Sequence, residues 1–68
     1  MEISYNKLWK LLIDKGMNKT GFSTNAHLSS GTMAKLGKNE NVNTEILEKI
    51  CRALDCDISD IMEMTEDK

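Results

Sequence analysis

LSSGTMAKLGKNE, residues 28–40, has the length and the Met33/Leu36 spacing of a helix, yet it opens on two serines, a glycine and a threonine. Gly31 alone costs about 1 kcal/mol relative to alanine in a helix interior, so something must favour a helix that is thin on one side. At about 100° per residue, with Gly31 set to zero, Lys35 falls at about +40°, Lys38 at about −20° and Ala34 at about −60°. Met33 and Leu36 fall on the far side, at about 200° and 140°. One face is therefore an apolar anchor. The other carries Gly31, Ala34, Lys35 and Lys38, with Ser30 and Thr32 at its flanks: small residues first, long cations later. Such a face approaches an acidic surface closely, and the DNA major groove admits one α-helix. A solvent-exposed helix with ordinary capping residues gives the same pattern, so the neighbouring sequence has to decide.

The 68 residues include no proline and three aromatic side chains, Tyr5, Trp9 and Phe22. That composition fits an all-α protein better than a sheet of β-branched strands. Sixty-eight residues predict one domain, 1–68, near the lower size limit for a core without staples. In MEISYNKLWKLLIDKG, residues 1–16, Lys7, Lys10 and Asp14 interrupt the apolar residues. No run is long enough for a signal sequence or a membrane span, which points to the cytoplasm. Cys51 and Cys56 lie in CRALDC, and the lone histidine, His27, is distant. A zinc site needs about four ligands, so the cysteines read as reduced structural thiols and neither a metal nor a cofactor is expected.

Net charge is −2, but its distribution is bipolar. Residues 1–39 carry six lysines against Glu2 and Asp14, a balance of +4, whereas residues 40–68 carry Lys49, Arg52 and Lys68 against nine acids, a balance of −6. Local field rather than net charge decides what a face attracts. Lys7, Lys10 and Lys15 read as solvated surface.

Five helical segments are predicted. The first covers Tyr5–Lys15 with Ser4 as N-cap, an apolar face of Leu8, Trp9, Leu11 and Leu12, and Gly16 as its stop. The second runs from an Asn18 cap to about Asn25; its propensity is poor, so Phe22 and Ala26 must hold it by packing. The third is capped by Ser29 and ends near Gly37–Asn39. After the loop KNENVN, a fourth is capped by Asn43 or Thr44 and runs to Leu54, with Ile46, Leu47, Ile50, Cys51 and Leu54 inward and Glu45–Lys49 and Glu48–Arg52 paired outward. Ser59 caps a last turn, DIMEM (residues 60–64), where Ile58, Ile61 and Met62 close the core. A polar tail occupies about residues 64–68.

Phe22 and Ala26 on one helix, a tight turn at His27 and Leu28, then Ser29 opening a helix with Met33 and Leu36 inward, is helix-turn-helix spacing over about residues 18–38. KTGFSTNAHLSSGTMAKLGKN, residues 19–39, followed by LEKICRALDCDISDIME, residues 47–63, resembles the Cro/C1-type (XRE-type, lambda repressor-like) DNA-binding domain. It is similar to the small stand-alone members of the VanU type. The resemblance covers about residues 3–64. The sequence departs from the family pattern at Gly21, where an acidic residue is usual, and at His27, where glycine is usual; histidine enters left-handed backbone more readily than β-branched residues do.

The resemblance implies a compact five-helix lambda repressor-like fold whose third helix enters the major groove, with Ser30, Gly31, Thr32 and Lys35 at base edges. It implies phosphate contacts from Lys19, Lys38 and Asn39. For Lys19 the exposed amides at a helix N-terminus add a reason of their own. The function implied is a sequence-specific transcriptional regulator of double-stranded DNA, a repressor acting by promoter occlusion on a two-fold symmetric operator. A weak homodimer completed on DNA would use Ile61, Met62 and Met64. The alternative is a protein-interaction module, antitoxin-like or anti-repressor, that uses the same helical surface or the acidic C-terminal half. An RNA binder using the basic half is a third reading. No enzyme is indicated, because His27 has no second base or nucleophile beside it in sequence. Tyr5 and Trp9 read as core or its rim rather than as a stacking platform.

Overall fold

A computed structural model of the chain describes residues 2–66. In chain order it contains strand β1 (Glu2–Ser4), helices α1 (Asn6–Asp14), α2 (Lys19–Asn25), α3 (Ser30–Gly37) and α4 (Thr44–Leu54), a single 3-10 turn (Ile58–Asp60) and strand β2 (Glu63–Thr65). The structure is mostly helical, as expected.

Three helix starts rest on the predicted polar caps. The side chains of Asn18, Ser29 and Asn43 accept the amides of Gly21, Thr32 and Ile46 at 2.7, 3.1 and 2.9 Å. Each such cap is worth about 1 kcal/mol. Asn43, not Thr44, is thus the cap of α4. At Gly21 an added Cβ would come within 3.1 Å of the Asn18 cap oxygen, so a side chain there would require that cap to give by a few tenths of an ångström.

Every α-helix ends on a left-handed residue: Gly16 (φ 69°), His27 (φ 56°), Asn39 (φ 57°) and Asp55 (φ 52°). The next residue in each case donates its amide back into the last turn, Met17 to the Leu12 carbonyl, Leu28 to Ser23, Glu40 to Lys35 and Cys56 to Cys51, at 2.9–3.1 Å. This geometry satisfies carbonyls that would otherwise be orphaned.

The buried core is formed by Tyr5, Leu8, Leu12, Phe22, Ala26, Leu36, Leu47, Ile50, Leu54 and Ile61. Trp9, Leu11, Met33, Ile46, Cys51 and Met62 are half-buried around it. Ile58, expected in the core with Ile61 and Met62, is 45 % exposed, while Ile61 is fully buried: Ile58 opens the 3-10 turn (Ile58–Asp60) instead of lying on a helix face shared with Ile61.

The two ends of the chain correct the sequence reading. The predicted fifth helix over DIMEM is replaced by the 3-10 turn and by β2, which leaves four α-helices among the described residues. A five-residue helix is too short to sustain itself, whereas an extended segment finds a partner: β2 pairs antiparallel with β1 in the register Glu2↔Thr65, Ile3↔Met64, Ser4↔Glu63. The Asp57 amide, not Ser59, anchors the turn by donating to the Asp60 carboxylate at 3.0 Å. Ser4 lies buried in β1, and α1 begins at Asn6; the serine hydroxyl still accepts the Asn6 amide at 3.3 Å. Lys7 is not merely solvated: its Nζ donates to the Ser59 carbonyl at 3.1 Å and lies 4.0 Å from Glu63. Of the two ion pairs expected on α4, Glu48–Arg52 forms at 3.1 Å, and Glu45–Lys49 does not form among the described residues. Residues 67 and 68 of the predicted tail lie outside the described residues, and Met64 and Thr65 belong to β2.

Candidate nucleic-acid interface

Helix α3 is held to the protein by a narrow base. Leu36 is its one buried residue, and Thr32 and Met33 are half-buried. Ser30, Gly31, Ala34, Lys35, Gly37 and Lys38 are exposed, so the predicted thin, cationic face does look outward. Nothing in the fold requires glycine at 31. An added Cβ would meet only the Ser29 hydroxyl, at an ordinary 3.8 Å, and at Gly37 it would meet nothing within 4 Å.

The start of α3 also fixes Thr32. Ser29 accepts the Thr32 amide and donates its own hydroxyl proton to Thr32 Oγ1, both at 3.1 Å. That arrangement leaves the Thr32 hydroxyl proton to donate to an outside acceptor.

Lys19, at the first position of α2, lies with Nζ 4.7 Å from the centre of the Trp9 ring. A cation over an indole face is worth about 0.5–1 kcal/mol at an exposed site, so this ammonium is steered rather than free. Of the amides at the α2 start, that of Gly21 is already taken by Asn18. Between α2 and α3 runs a shallow crevice lined by Lys19, Thr20, Ser23, Ser30, Met33 and Ala34. Thr20 and Ser23 are not among the residues to which the sequence assigns a contact. Their place beside Lys19, with Thr20 exposed and Ser23 half-buried, appears once α2 and α3 are placed together.

At the far end of α3, Lys38 is the last near-helical residue and Asn39 turns into the left-handed region. The Asn39 side-chain oxygen accepts the Tyr5 amide at 3.1 Å, and the Tyr5 hydroxyl donates to the Glu40 carbonyl at 2.9 Å. Burial pushes the Tyr5 phenol above its ordinary pKa, which keeps that proton in place. Lys35, Lys38 and Asn39 border one side of an open pocket, and Glu2, Ile3 and Met64 of the strand pair border the other.

The remaining singled-out residues lie elsewhere. His27 sits exposed in the turn between α2 and α3. Cys51 and Cys56 are free and half-buried; burial raises both thiols, Cys56 to about 11, so each is neutral at pH 7. Among the described residues no three His, Cys, Asp or Glu side chains cluster as metal ligands, and no helix is long and apolar enough to cross a membrane. Of Ile61, Met62 and Met64, the first is fully buried, the second half-buried, and Met64 is 52 % exposed.

Against known proteins, residues 7–67 match the family model described as a Cro/C1-type HTH DNA-binding domain. The fold is similar to a crystal structure of the transcriptional regulator VanUg, with 53 % sequence identity and a TM-score of 0.88 over 91 % of this chain and 83 % of that one. No curated protein matches the sequence.

Proposed function

This chain belongs to the Cro/C1-type helix-turn-helix DNA-binding family, and from that premise we propose that it is a sequence-specific regulator of transcription that binds double-stranded DNA through the outer face of α3. The observation that carries this reading is Gly31. A residue that weakens its helix and that no neighbour requires is explained by close approach of an outside surface, and two lysines on the same face select an acidic one. In the major groove Ser30, Gly31, Thr32 and Lys35 meet base edges; lysine to guanine and serine or threonine to either partner of a pair are sound pairings. Lys19 at one end and Lys38 with Asn39 at the other grip the phosphates that flank the groove.

With these contacts the chain represses by occupying a promoter. One recognition helix reads few base pairs, so two copies on half-sites about 10 bp apart, or a multiple of that, supply the affinity. Met64 is the open apolar residue for a weak contact between copies, and DNA completes the pair. The test is to capture fragments of the source genome on the chain, footprint the retained site, and compare Lys35→Ala with Lys38→Ala. A protected, symmetric site near a promoter supports the reading. Undiminished binding to a protein partner by both variants, with no DNA retained, establishes the interaction module instead.

A further inference from the structure

The four helix ends share one backbone geometry but not one means of holding it. The residue after the left-handed position is Met17, Leu28 and Cys56 at the ends of α1, α2 and α4, and all three are half-buried against the core. An apolar contact of this kind normally closes such an ending. At the end of α3 the corresponding residue is Glu40, which is exposed. The closing contact is missing there, and Tyr5 stands in its place: 1 % exposed, with its ring in the core, it holds Asn39 through its amide and Glu40 through its hydroxyl.

We propose that Tyr5 is a positioning residue for DNA binding, one that sets the backbone clamp of Lys38 and Asn39 from inside the core. The chemistry is directional. A carboxamide whose oxygen is taken by an N–H must turn its NH2 the other way, so the Tyr5 amide makes Asn39 present donors rather than an acceptor to an approaching phosphate. The Tyr5 hydroxyl fixes the following carbonyl and so holds the turn in which Lys38 and Asn39 sit. Tyr5 itself touches no DNA. The inference rests on the assignment of Lys38 and Asn39 to phosphates made above.

The test uses the whole chain, a footprinted operator and a random duplex, at a temperature where circular dichroism shows every variant folded. Tyr5→Phe removes only the hydroxyl. It is expected to weaken operator and random duplex alike, by about fivefold, the worth of one hydrogen bond. In a Lys38→Ala/Asn39→Gly background, where glycine keeps the left-handed turn, the same change is expected to cost nothing further. Asn39→Asp keeps the oxygen that accepts from Tyr5 but replaces the donors with negative charge, and it should lose at least as much affinity as Asn39→Gly. Equal losses from Tyr5→Phe in both backgrounds would mean a general effect on the fold and overturn the proposal, as would no loss in either. Wild-type affinity in the Lys38→Ala/Asn39→Gly variant would remove the clamp itself and Tyr5's role with it, while leaving α3 in the groove; no binding of any DNA by the wild-type chain would remove the functional reading as a whole.

Discussion

Helices α3 and α4 follow one another in the chain, begin with the same kind of polar cap, and end on the same left-handed turn. Their contents differ. Helix α4 buries Leu47, Ile50 and Leu54, carries Glu45 in its first turn and Arg52 in its last, and pairs Arg52 with Glu48. Each of these choices stabilises a helix on its own terms. Helix α3 buries Leu36 alone and includes two glycines that no neighbour needs. A helix built for the core explains itself by stability. One whose residues do not invites an explanation from outside, and the contrast is what supports the outer face of α3 as the proposed DNA-binding surface.

The sharpest way to break this contrast is to truncate the core side. Ile50→Ala leaves a hole at a fully buried position and should cost about 2–5 kcal/mol, a large part of the stability of so small a domain. Urea denaturation should show a much reduced or absent folded baseline. A loss below 1 kcal/mol would mean that α4 is not the core helix described. On the other side, Gly31→Glu should leave the melting temperature unchanged or raise it, while like charge against phosphate costs several kcal/mol of binding. If this variant holds operator as well as the wild type, the outer face of α3 does not lie in the groove.

Within that face, Lys35→Ala should lose about 1–3 kcal/mol on the best site and relax preference at one base pair, whereas Lys38→Ala should weaken all sequences and reduce the salt slope by about 1. Titrations on a panel of single-base operator variants separate the two; sequence-blind losses from both would make Lys35 a second phosphate contact. The smallest effect is the most diagnostic of why α3 is built as it is. Gly31→Ala meets no obstacle and should raise unfolding free energy by about 0.5–1 kcal/mol. A destabilised variant in thermal melts would show that the fold, after all, requires the glycine.

The residues legible in the sequence are those whose work is local. Asn18, Ser29 and Asn43 cap helices by reaching three residues ahead, Gly16 stops α1, and the apolar spacing of α4 marks its buried face; all are read within one or two turns. The position of α3 was legible for the same reason, whereas the Cro/C1-type architecture came from the resemblance carried by residues 19–39 and 47–63. The strand pair was not legible. Glu2–Ser4 and Glu63–Thr65 are three residues each, too short for their polar–apolar–polar alternation to stand out as a strand signal, and what makes them strands is that they meet. Ser4 and Ser59 look like caps by local rules, but pairing at one end and the Asp57–Asp60 turn at the other override them. Tyr5, read as core or rim, is core, but its bonds to Asn39 and Glu40 cross 34 and 35 residues and leave no trace in spacing. The contacts assigned to Lys19, Lys38 and Asn39 came from resemblance and charge; the steering of Lys19 by Trp9 depends on how α1 and α2 cross.

The strand pair also sets an order of events in folding. Its partners are separated by 59–63 residues, so closing it means ordering nearly the whole chain, and that entropy is lost before three short rungs give anything back. The helices, with their contacts inside single turns, need no such wait. Condensation of α1–α4 is therefore expected first, with the ribbon zipping last and fraying first in the native ensemble; hydrogen exchange at the paired amides of Glu2–Ser4 and Glu63–Thr65 should be faster than in α1 and α4. Tyr5 directly follows β1, so the last step of folding is also the one that secures the Asn39–Glu40 turn behind α3: the proposed DNA-binding surface is complete only when the two strands have met.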